Sequence, residues 1–575
     1  MRNWFIVLFL FLSLSIFAKT GHISGTLTFE DGTPVSYAVV CILKIQKYAV
    51  SDENGKYELS HIPHGDHLLE VKTIEAEETS IPVKVNSAEI YLPIVLKENS
   101  KFKLDDVVVY GKTEARKLKD QGFAVGLVET HKASLQSIQT TDLLDRTAGI
   151  RIRQSGGMGS DTQFNINGLT GNSIRVFIDG IPIRNYGNSF SLSSLPPLMI
   201  ERIEVYKGVV PAHLSEDALG GAINVILKKS VKNNLTTSYS FGSFNTHQWN
   251  MNGNFRDTKT GFTVGGSAFY NYTDNSYKVW GDQVYVVEDP VTSGKMNYIT
   301  AKRFHDSYQS KGLNADIGFT DVKWADRFTI GTVISDMDKD IQHGATMEVV
   351  YGNRRSETSS QLVNLKYEKK DILKNLSADL YGSYSHANRT VIDTIPEIYN
   401  WQGIVLTDAD GNPYVWGKGG GEAGRATHAT NKEKMVAGRG SLIYKITPQH
   451  HISANYLFNR FTRDVDDPYL IELERELSDT RYLTKGILGL SYTNNLFHDR
   501  LKSSLFYKYY MQNVELKDFK KENNEIVADI HDRTTRNSGY GAAFSFELFP
   551  RILILLSGER ALRLPESNEL LGNTS

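Results

Sequence analysis

A single cysteine, Cys41, stands in a sequence of 575 residues, so an internal disulfide framework is excluded and stability has to come from packing. Cys41 is not at a signal cleavage site, which argues against a lipid-modified N-terminus; its neighbours make it a buried strand residue. Neither sign of charge is in excess: 64 Lys and Arg face 66 Asp and Glu, a net charge of -2. That balance argues against nucleic acid as a partner and singles out no other class. Beyond the first eighteen residues no stretch is long and apolar enough to cross a bilayer as a helix, which needs about 20 residues. Even 551–558 offers only a few apolar residues in a row. The mature chain is therefore either soluble outside the cytoplasm or a membrane β-barrel. Ser/His/Asp and Cys/His arrangements that would demand a bond-changing step are also missing, so the chain is read as a non-enzyme with no catalytic residue, resident metal or cofactor.

What is present begins with export. Arg2 gives a short positive region, 5–17 is almost wholly apolar and Ala18 offers a small residue for cleavage, the pattern of a signal peptide over 1–18. The remainder is rich in Tyr (29), Phe (26) and Gly (47), has only 15 Pro and has a mean hydropathy of -0.33. This suits alternating strands better than buried helices.

Residues 19–98 read as a small Ig/transthyretin-like β-sandwich. Ile23, Gly25 and Leu27 alternate, as do Ala38, Val40 and Ile42; Asp31-Gly32-Thr33-Pro34 and Asp52-Glu53-Asn54-Gly55 turn the chain. His67 and Glu70 copy an H-x-x-E zinc spacing, but on a strand residues three apart point to opposite faces. Asp52 and Asn54 lack the other ligand positions of a calcium loop and are assigned to a turn. A charged linker, 99–120, contains Asp105, Asp106, Val107, Val108, Val109 and Tyr110, a β-forming string able to add itself to the edge of another protein's sheet.

From 121 to 229 the pattern is mixed α/β. Thr140 or Thr141 can cap a short helix; Gly149 frees the chain for Ile150-Arg151-Ile152, and a Gly156-Gly157-Met158-Gly159 loop follows. That loop is not a phosphate cradle, since no Lys-Ser/Thr follows it and no long helix opens from it. Ile174 to Ile178, an Asp179-Gly180 turn and Ile181-Pro182-Ile183 make a hairpin. Ile200 to Val205 alternates apolar and charged, and Ala218 to Ile226 closes the segment.

Residues 230–575 are a succession of strands with period two. Leu235, Thr237, Tyr239 and Phe241 can face lipid while Thr236, Ser238 and Ser240 face a lumen; Trp249 to Phe255, Ile452 to Phe458 and Leu501 to Met511 repeat the pattern. Long polar stretches such as 282–305 and 397–434 contrast with short turns such as 447–450. Asp408, Asp410, Gly411 and Asn412, and likewise His450-His451, are read as turn residues.

Several strings carry a resemblance. Gly21-x-Ile23-x-Gly25, Asp31-Gly32-x-Pro34, Ser51-Asp52-x-Asn54-Gly55-x-Tyr57 and Ile62-Pro63-x-Gly65 resemble the carboxypeptidase-regulatory-like domain that precedes the plug in many Bacteroidetes receptors. Asp105 to Tyr110 resembles a TonB box. The ordered strings of 143–226, among them Phe177-Ile178-Asp179-Gly180-Ile181-Pro182, Ile200-Glu201-Arg202-Ile203-Glu204-Val205 and Ala218 to Val225, resemble the plug of TonB-dependent receptors. The resemblance implies an outer-membrane β-barrel with an α/β plug, the N-terminal domain in the periplasm, and import of a scarce ligand. Its implied partners are TonB with the inner-membrane energising complex, outer-membrane lipid, a small-molecule ligand such as an iron chelate and, left open, a surface lipoprotein.

Ferric siderophore or haem comes first; cobalamin, another chelate and a SusC-like glycan importer stay open, as does an adhesin or scaffold of another class. By the same resemblance, ligand contacts fall on plug loops at Arg153, Gln154 and Met158 and at Arg184, Asn185 and Tyr186. Two positions depart from the family: Asn167 and Lys207 stand where arginines help lock plug to barrel, so a weaker lock or other donors are expected. Arg560 to Leu570 resembles an R-x-P-x-x-x-E-L string lying well inside the family barrel. At roughly 22–26 residues per strand with its loops, 230–575 accommodates about 13–15 strands against the family's 22, so an incomplete barrel is expected.

Overall fold

Apolar residues at every second position set the strands of both compact units, Met1–Gly111 and Lys112–Ser575. The computed structural model describes residues 20–73, 76, 79–97, 118, 122–130, 133, 138–187, 189–214, 217–228, 233–287, 294–417, 420–470, 480–522, 525–549, 552–566 and 569–570. The expected signal peptide and the Asp105 to Tyr110 string lie outside them.

In the first unit, strand Thr20–Phe29 buries Gly21, Ile23, Gly25 and Leu27 and turns the intervening residues outward. It pairs with Lys56–Pro63 on one side and with Glu89–Tyr91 and Ile94–Leu96 on the other. A second sheet runs in the order Lys47–Val50, Val39–Ile42, Gly65–Lys72, Thr79–Val85. Ile23, Leu27, Val40, Leu59, Leu69 and Val71 form the core between them. Gly25 is required by close approach: a Cβ there would collide with the Leu92 carbonyl oxygen. Asp52 Oδ1 accepts from the Asn54 and Lys56 amides at 2.9 and 2.8 Å, and this carboxylate makes a turn. His67 bonds the Pro63 carbonyl while Glu70 meets Lys72. Cys41 is buried.

The second unit begins with the plug. Its five-stranded sheet has the order Ile181–Pro182, Ile174–Ile178, Gly221–Leu227, Ile200–Tyr206, Val125–Glu129. Ile174–Ile178 and Gly221–Leu227 run parallel within it. A second sheet joins Ile150–Gln154, Thr162–Ile166 and Leu169–Thr170. The short helix Thr140–Asp145 is capped by Gln139, not by Thr140 or Thr141. Both threonines are buried inside the first turn, and Thr140 spends its hydroxyl on the Leu195 carbonyl at 2.5 Å.

Around the plug, among the described residues, runs one antiparallel sheet of thirteen strands, each paired with its sequence neighbours in that sheet. In chain order they are Asn234–Gly242, Thr246–Arg256, Phe262–Thr273, Tyr308–Val322, Ala325–Asp340, Arg355–Leu373, Leu376–Asp393, Thr427–Thr447, His450–Asp466, Thr480–Leu496, Leu501–Glu522, Glu525–Phe549 and Ile552–Arg560. Among the described residues the first and last strands are not paired to each other, so the sheet is not closed. In Ala325–Asp340, Thr329, Val333 and Ser335 are buried inward, whereas Ile330 and Ile334 are exposed outward. A polar-in, apolar-out wall is the pattern of a membrane barrel. At one short turn the rings of Phe319, Trp324 and Phe328 form an aromatic cluster with centroids 6.0 and 5.4 Å apart, as in an interfacial girdle.

Two boundaries differ from the sequence reading. Thr427–Thr447 already belongs to the wall, so the long loop before it is shorter than 397–434. His450 opens a wall strand and bonds the Tyr492 hydroxyl at 2.6 Å instead of lying in the turn.

Candidate functional site: the plug–wall junction

Arg175 interrupts an otherwise apolar strand, Ile-Arg-Val-Phe-Ile, and its side chain is only 9% exposed. A charge so placed needs a partner, because an isolated buried ion is strongly disfavoured. Asp217 supplies it in a bidentate fork, with Nε to Oδ1 at 3.1 Å and Nη2 to Oδ2 at 2.8 Å. The remaining nitrogen, Nη1, reaches Glu566 Oε1 at 2.6 Å. Arg184 Nη1 meets the same oxygen at 2.6 Å, and Lys485 Nζ stands 3.1 Å from it and 3.6 Å from Asp217 Oδ2. The Leu564 amide donates to Asp217 Oδ2 at 2.7 Å.

The result is a cluster of three cations and two carboxylates. It joins the plug (Arg175, Arg184, Asp217) to a wall strand (Lys485) and to the stretch after the last strand (Glu566). That stretch is held inward because Leu564 packs with Leu457, Ile487 and Tyr510 and because Gln512 donates to the Pro565 carbonyl.

Burial alone would raise the Asp217 and Glu566 pKa values. Lys485, Arg175 and Arg184 reverse this at Asp217, and Arg184, Lys485 and Arg175 at Glu566, so both carboxyls stay ionised below their usual range. A depressed folded-state pKa gives stability present above the unfolded value and lost as pH falls through the folded one. The junction is therefore expected to hold from neutral pH down to the ordinary carboxylate range near pH 4, weakening only in stronger acid. Protease protection of the plug across a pH series checks this; loss of protection already at pH 5–6 would count against it.

The same plug segment continues along the wall. Asp179 and Gly180, at φ +50° and +76°, make the tight hairpin turn that the Asp-Gly dipeptide encodes. Arg439 Nη1 donates to the Gly180 carbonyl at 2.9 Å, and Lys366 Nζ stands 3.6 Å from Asp179. Ser360 Oγ donates to the Tyr186 carbonyl at 2.7 Å, Asn459 Nδ2 to Asn185 Oδ1 at 3.3 Å, and Ser189 Oγ meets Ser335 Oγ at 2.6 Å.

The residues expected to contact ligand fall into two settings. Arg153 is exposed at the end of Ile150–Gln154, Gln154 donates to the Gly157 carbonyl at 2.8 Å, and Met158 is half-buried. Met158 is tied through its backbone amide and carbonyl to Asn275 at 3.1 and 2.9 Å. The glycines of this loop answer to close approach: a Cβ on Gly157 would collide with the Asn275 amide, and one on Gly159 with the Tyr308 ring. Arg184, Asn185 and Tyr186 are instead turned into the junction. Asn185 and Tyr186 are 1% and 5% exposed, and Tyr186 stacks on Phe190 with centroids 5.5 Å apart. Their polar and aromatic groups serve plug–wall packing in this arrangement, which leaves Arg153, Gln154 and Met158 as the accessible set.

The departures from the family pattern resolve similarly. Asn167 is an exposed turn residue at φ +50°, and Lys207 donates to the Ala148 carbonyl within the plug. The lock uses other donors. Sequence reading misses Arg175, Asp217, Lys485 and Glu566 as a group; the one available signal is Arg175, a charge at an inward position of an apolar strand.

Residues 128–222 match the TonB-dependent Receptor Plug Domain family and residues 23–109 the CarboxypepD_reg-like domain. Together with the sheet described above, these matches support a TonB-dependent receptor with an N-terminal CarboxypepD_reg-like domain ahead of the plug. Among curated relatives, TonB-dependent receptor P39 of Formosa agariphila is 25% identical over 413 residues, covering 66% of this chain and 37% of that protein. Vitamin B12 transporter BtuB of Vibrio vulnificus is 29% identical over 220 residues, covering 36% of this chain and 34% of that protein. The matched regions thus span little more than a third of these relatives' length. Among solved structures, copper transporter OprC superposes with a TM-score of 0.55 at 11% identity, covering 78% of this chain and 64% of that one. Ferric citrate transporter FecA in its unliganded form gives 0.52 at 13%, covering 76% and 63%. At such identity the likeness shows the fold alone.

Proposed function

We propose that this chain serves TonB-driven import across the outer membrane: ligand binds at the long-loop end, TonB engages the Asp105 to Tyr110 string below, and pulling remodels the plug. The observation that carries this reading is the polar junction. A plug filling the lumen, yet tied to the wall by ion pairs and hydrogen bonds that water can replace, is a seal suited to being broken and remade. In this orientation the short turns and the N-terminal domain face the periplasm. No bond in the cargo changes.

Ferric siderophore or haem is the ligand class we favour, with Arg153 and Gln154 offering a cation and an amide at the exposed plug loop. Relatives named for vitamin B12 and copper mark the neighbouring alternatives. Deleting Asp105 to Tyr110 in the complete receptor is expected to abolish uptake while leaving ligand binding unchanged. Uptake at the wild-type rate would refute coupling through that string. Growth under iron limitation on a panel of ferric chelates, haem and cobalamin identifies the cargo.

A further inference from the structure

A cavity of about 560 Å³ lies between the plug and the short-turn ends of the wall strands, with Asp179, His213 and Lys228 on its plug side and Arg256, Lys366 and Arg439 on the wall. Small-molecule sites occupy roughly 300–1,000 Å³, so a solute of several hundred daltons fits. A second void of about 10 Å³ is lined by Phe177, Gly180, His213, Arg439 and Leu457. His213 and Arg439 border both spaces. The partition between them is therefore the guanidinium, the imidazole and the backbone of the Asp179-Gly180 turn.

A hydrogen bond crosses that partition, set near the carboxylates of Asp379, Asp179 and Glu368. Arg439 donates through Nη1 to the Gly180 carbonyl, while its buried Nε has no hydrogen-bond partner among the described residues. A Cβ on Gly180, already disfavoured at φ +76°, would push Arg439 Nη1 out of this position. On the plug side the turn is fastened to the strand Gly221–Leu227: Asn224 Oδ1 accepts from the Gly180 amide at 2.9 Å and Asp179 Oδ1 from the Leu227 amide at 3.1 Å. Displacing the turn would thus carry that strand's end with it. The His213 side chain is exposed and opens onto the cavity; desolvation by the surrounding protein first, then Arg439 and Lys508, pushes its pKa down to about 4. The ring is neutral at physiological pH and does not repel the guanidinium.

We propose that Arg439 is a gate pin, holding the Asp179-Gly180 turn against the wall so that the 560 Å³ cavity stays separated from the void beyond the partition until the turn moves and joins them, and that this cavity is the exit chamber for the cargo. The direction of transit rests on the import reading; the pin does not.

The test is the resting conductance of the full-length receptor in planar bilayers, with potassium chloride as the probe. Arg439→Gln and Gly180→Ala are each expected to raise it several-fold, and the double variant no further than the larger single, because both break one contact. Arg439→Lys, which keeps a cationic donor, should stay closer to wild type. Correct folding is read from heat-modifiable electrophoretic mobility; if Arg439→Gln fails it, Gly180→Ala carries the test from the plug side. A folded variant of either kind with wild-type conductance overturns the pin, as does a double variant whose effect is the sum of the singles.

A thiol probe gives a second readout. With Cys41 replaced by alanine and any cysteine of the receptor outside this sequence also removed, His213→Cys should react faster with a small cationic methanethiosulfonate added from the long-loop side when Arg439→Gln is also present; equal rates count against the pin. Raised conductance in a receptor that imports nothing would leave the pin standing and sink the import reading, so the two failures are distinguishable.

Discussion

Arg175→Ala is expected to cost the plug–wall junction about 3–5 kcal/mol, the range for breaking a buried ion pair by removing one partner. The penalty arises mainly at Asp217, which is fully buried and loses its bidentate donor while Lys485 remains 3.6 Å away. Glu566 suffers less, because Arg184 and Lys485 still reach it at 2.6 and 3.1 Å. The measurement is the urea concentration at which the plug becomes protease-sensitive in the full-length receptor, with the wall monitored separately by heat-modifiable mobility. Arg175→Lys keeps the charge but not the planar fork, and should fall between wild type and alanine. An alanine variant whose plug resists urea like wild type would mean that the cluster contributes little to the seal. Adding Asp217→Asn to Arg175→Ala should recover part of the loss, since an amide is less costly to bury unpaired than a carboxylate.

Much of the fold is legible in the sequence because its cause is local. Ile23, Gly25 and Leu27 alternate in the sequence and alternate in burial; Asp179-Gly180 encodes a tight turn and forms one; Trp249, Ile330 and Leu505 each face outward on a wall strand. The wall's inner polarity is legible too, as serines and asparagines between aromatics. Contacts whose two halves lie far apart in the chain do not show. Arg175 meets Glu566 from the other end of the second unit, and no periodicity in either segment announces it. Tyr186 reads as a plug-loop residue because its neighbours, Arg184 and Asn185, are polar; Arg184 Nη1 and Asn185 Oδ1 instead meet Glu566 and Asn459 on the other side of the junction. The misplaced cap at Thr140 has the same origin, since the Leu195 carbonyl that takes its hydroxyl is brought near only by the tertiary fold.

Position along the plug explains how the seal can be firm and still break. The Ile174–Ile178 strand carries Arg175 near one end and runs at the other into the Asp179-Gly180 turn, and Arg184 follows shortly after it. All three anchors lie on one short run of the plug, so a pull that extends this run loads them in succession and not all at once. Under the import reading proposed above, water would enter beside the next anchor as each one parts and compensate the polar groups left exposed.

That consequence separates stability from release, and it yields the second large effect. Replacing the cluster with apolar residues of similar size (Arg175→Met, Arg184→Met, Lys485→Met, Asp217→Leu and Glu566→Met together) is expected to leave the junction as stable as wild type or more stable by about 1–4 kcal/mol, because burying ions carries a desolvation cost that apolar packing avoids. Uptake should nevertheless fall at least tenfold, since an apolar seam gains nothing from the water that enters as the plug is pulled, and re-exposing it costs about 25 cal/mol for each Å². The pair of measurements is the urea midpoint for plug protection and the initial rate of uptake of the chelate identified by the growth panel. Ligand binding at the cell surface should be unchanged, which places the defect after binding. A receptor with the apolar seam and wild-type uptake would show that the charges serve only to fill space, and the polar junction would then lose its place in the import mechanism.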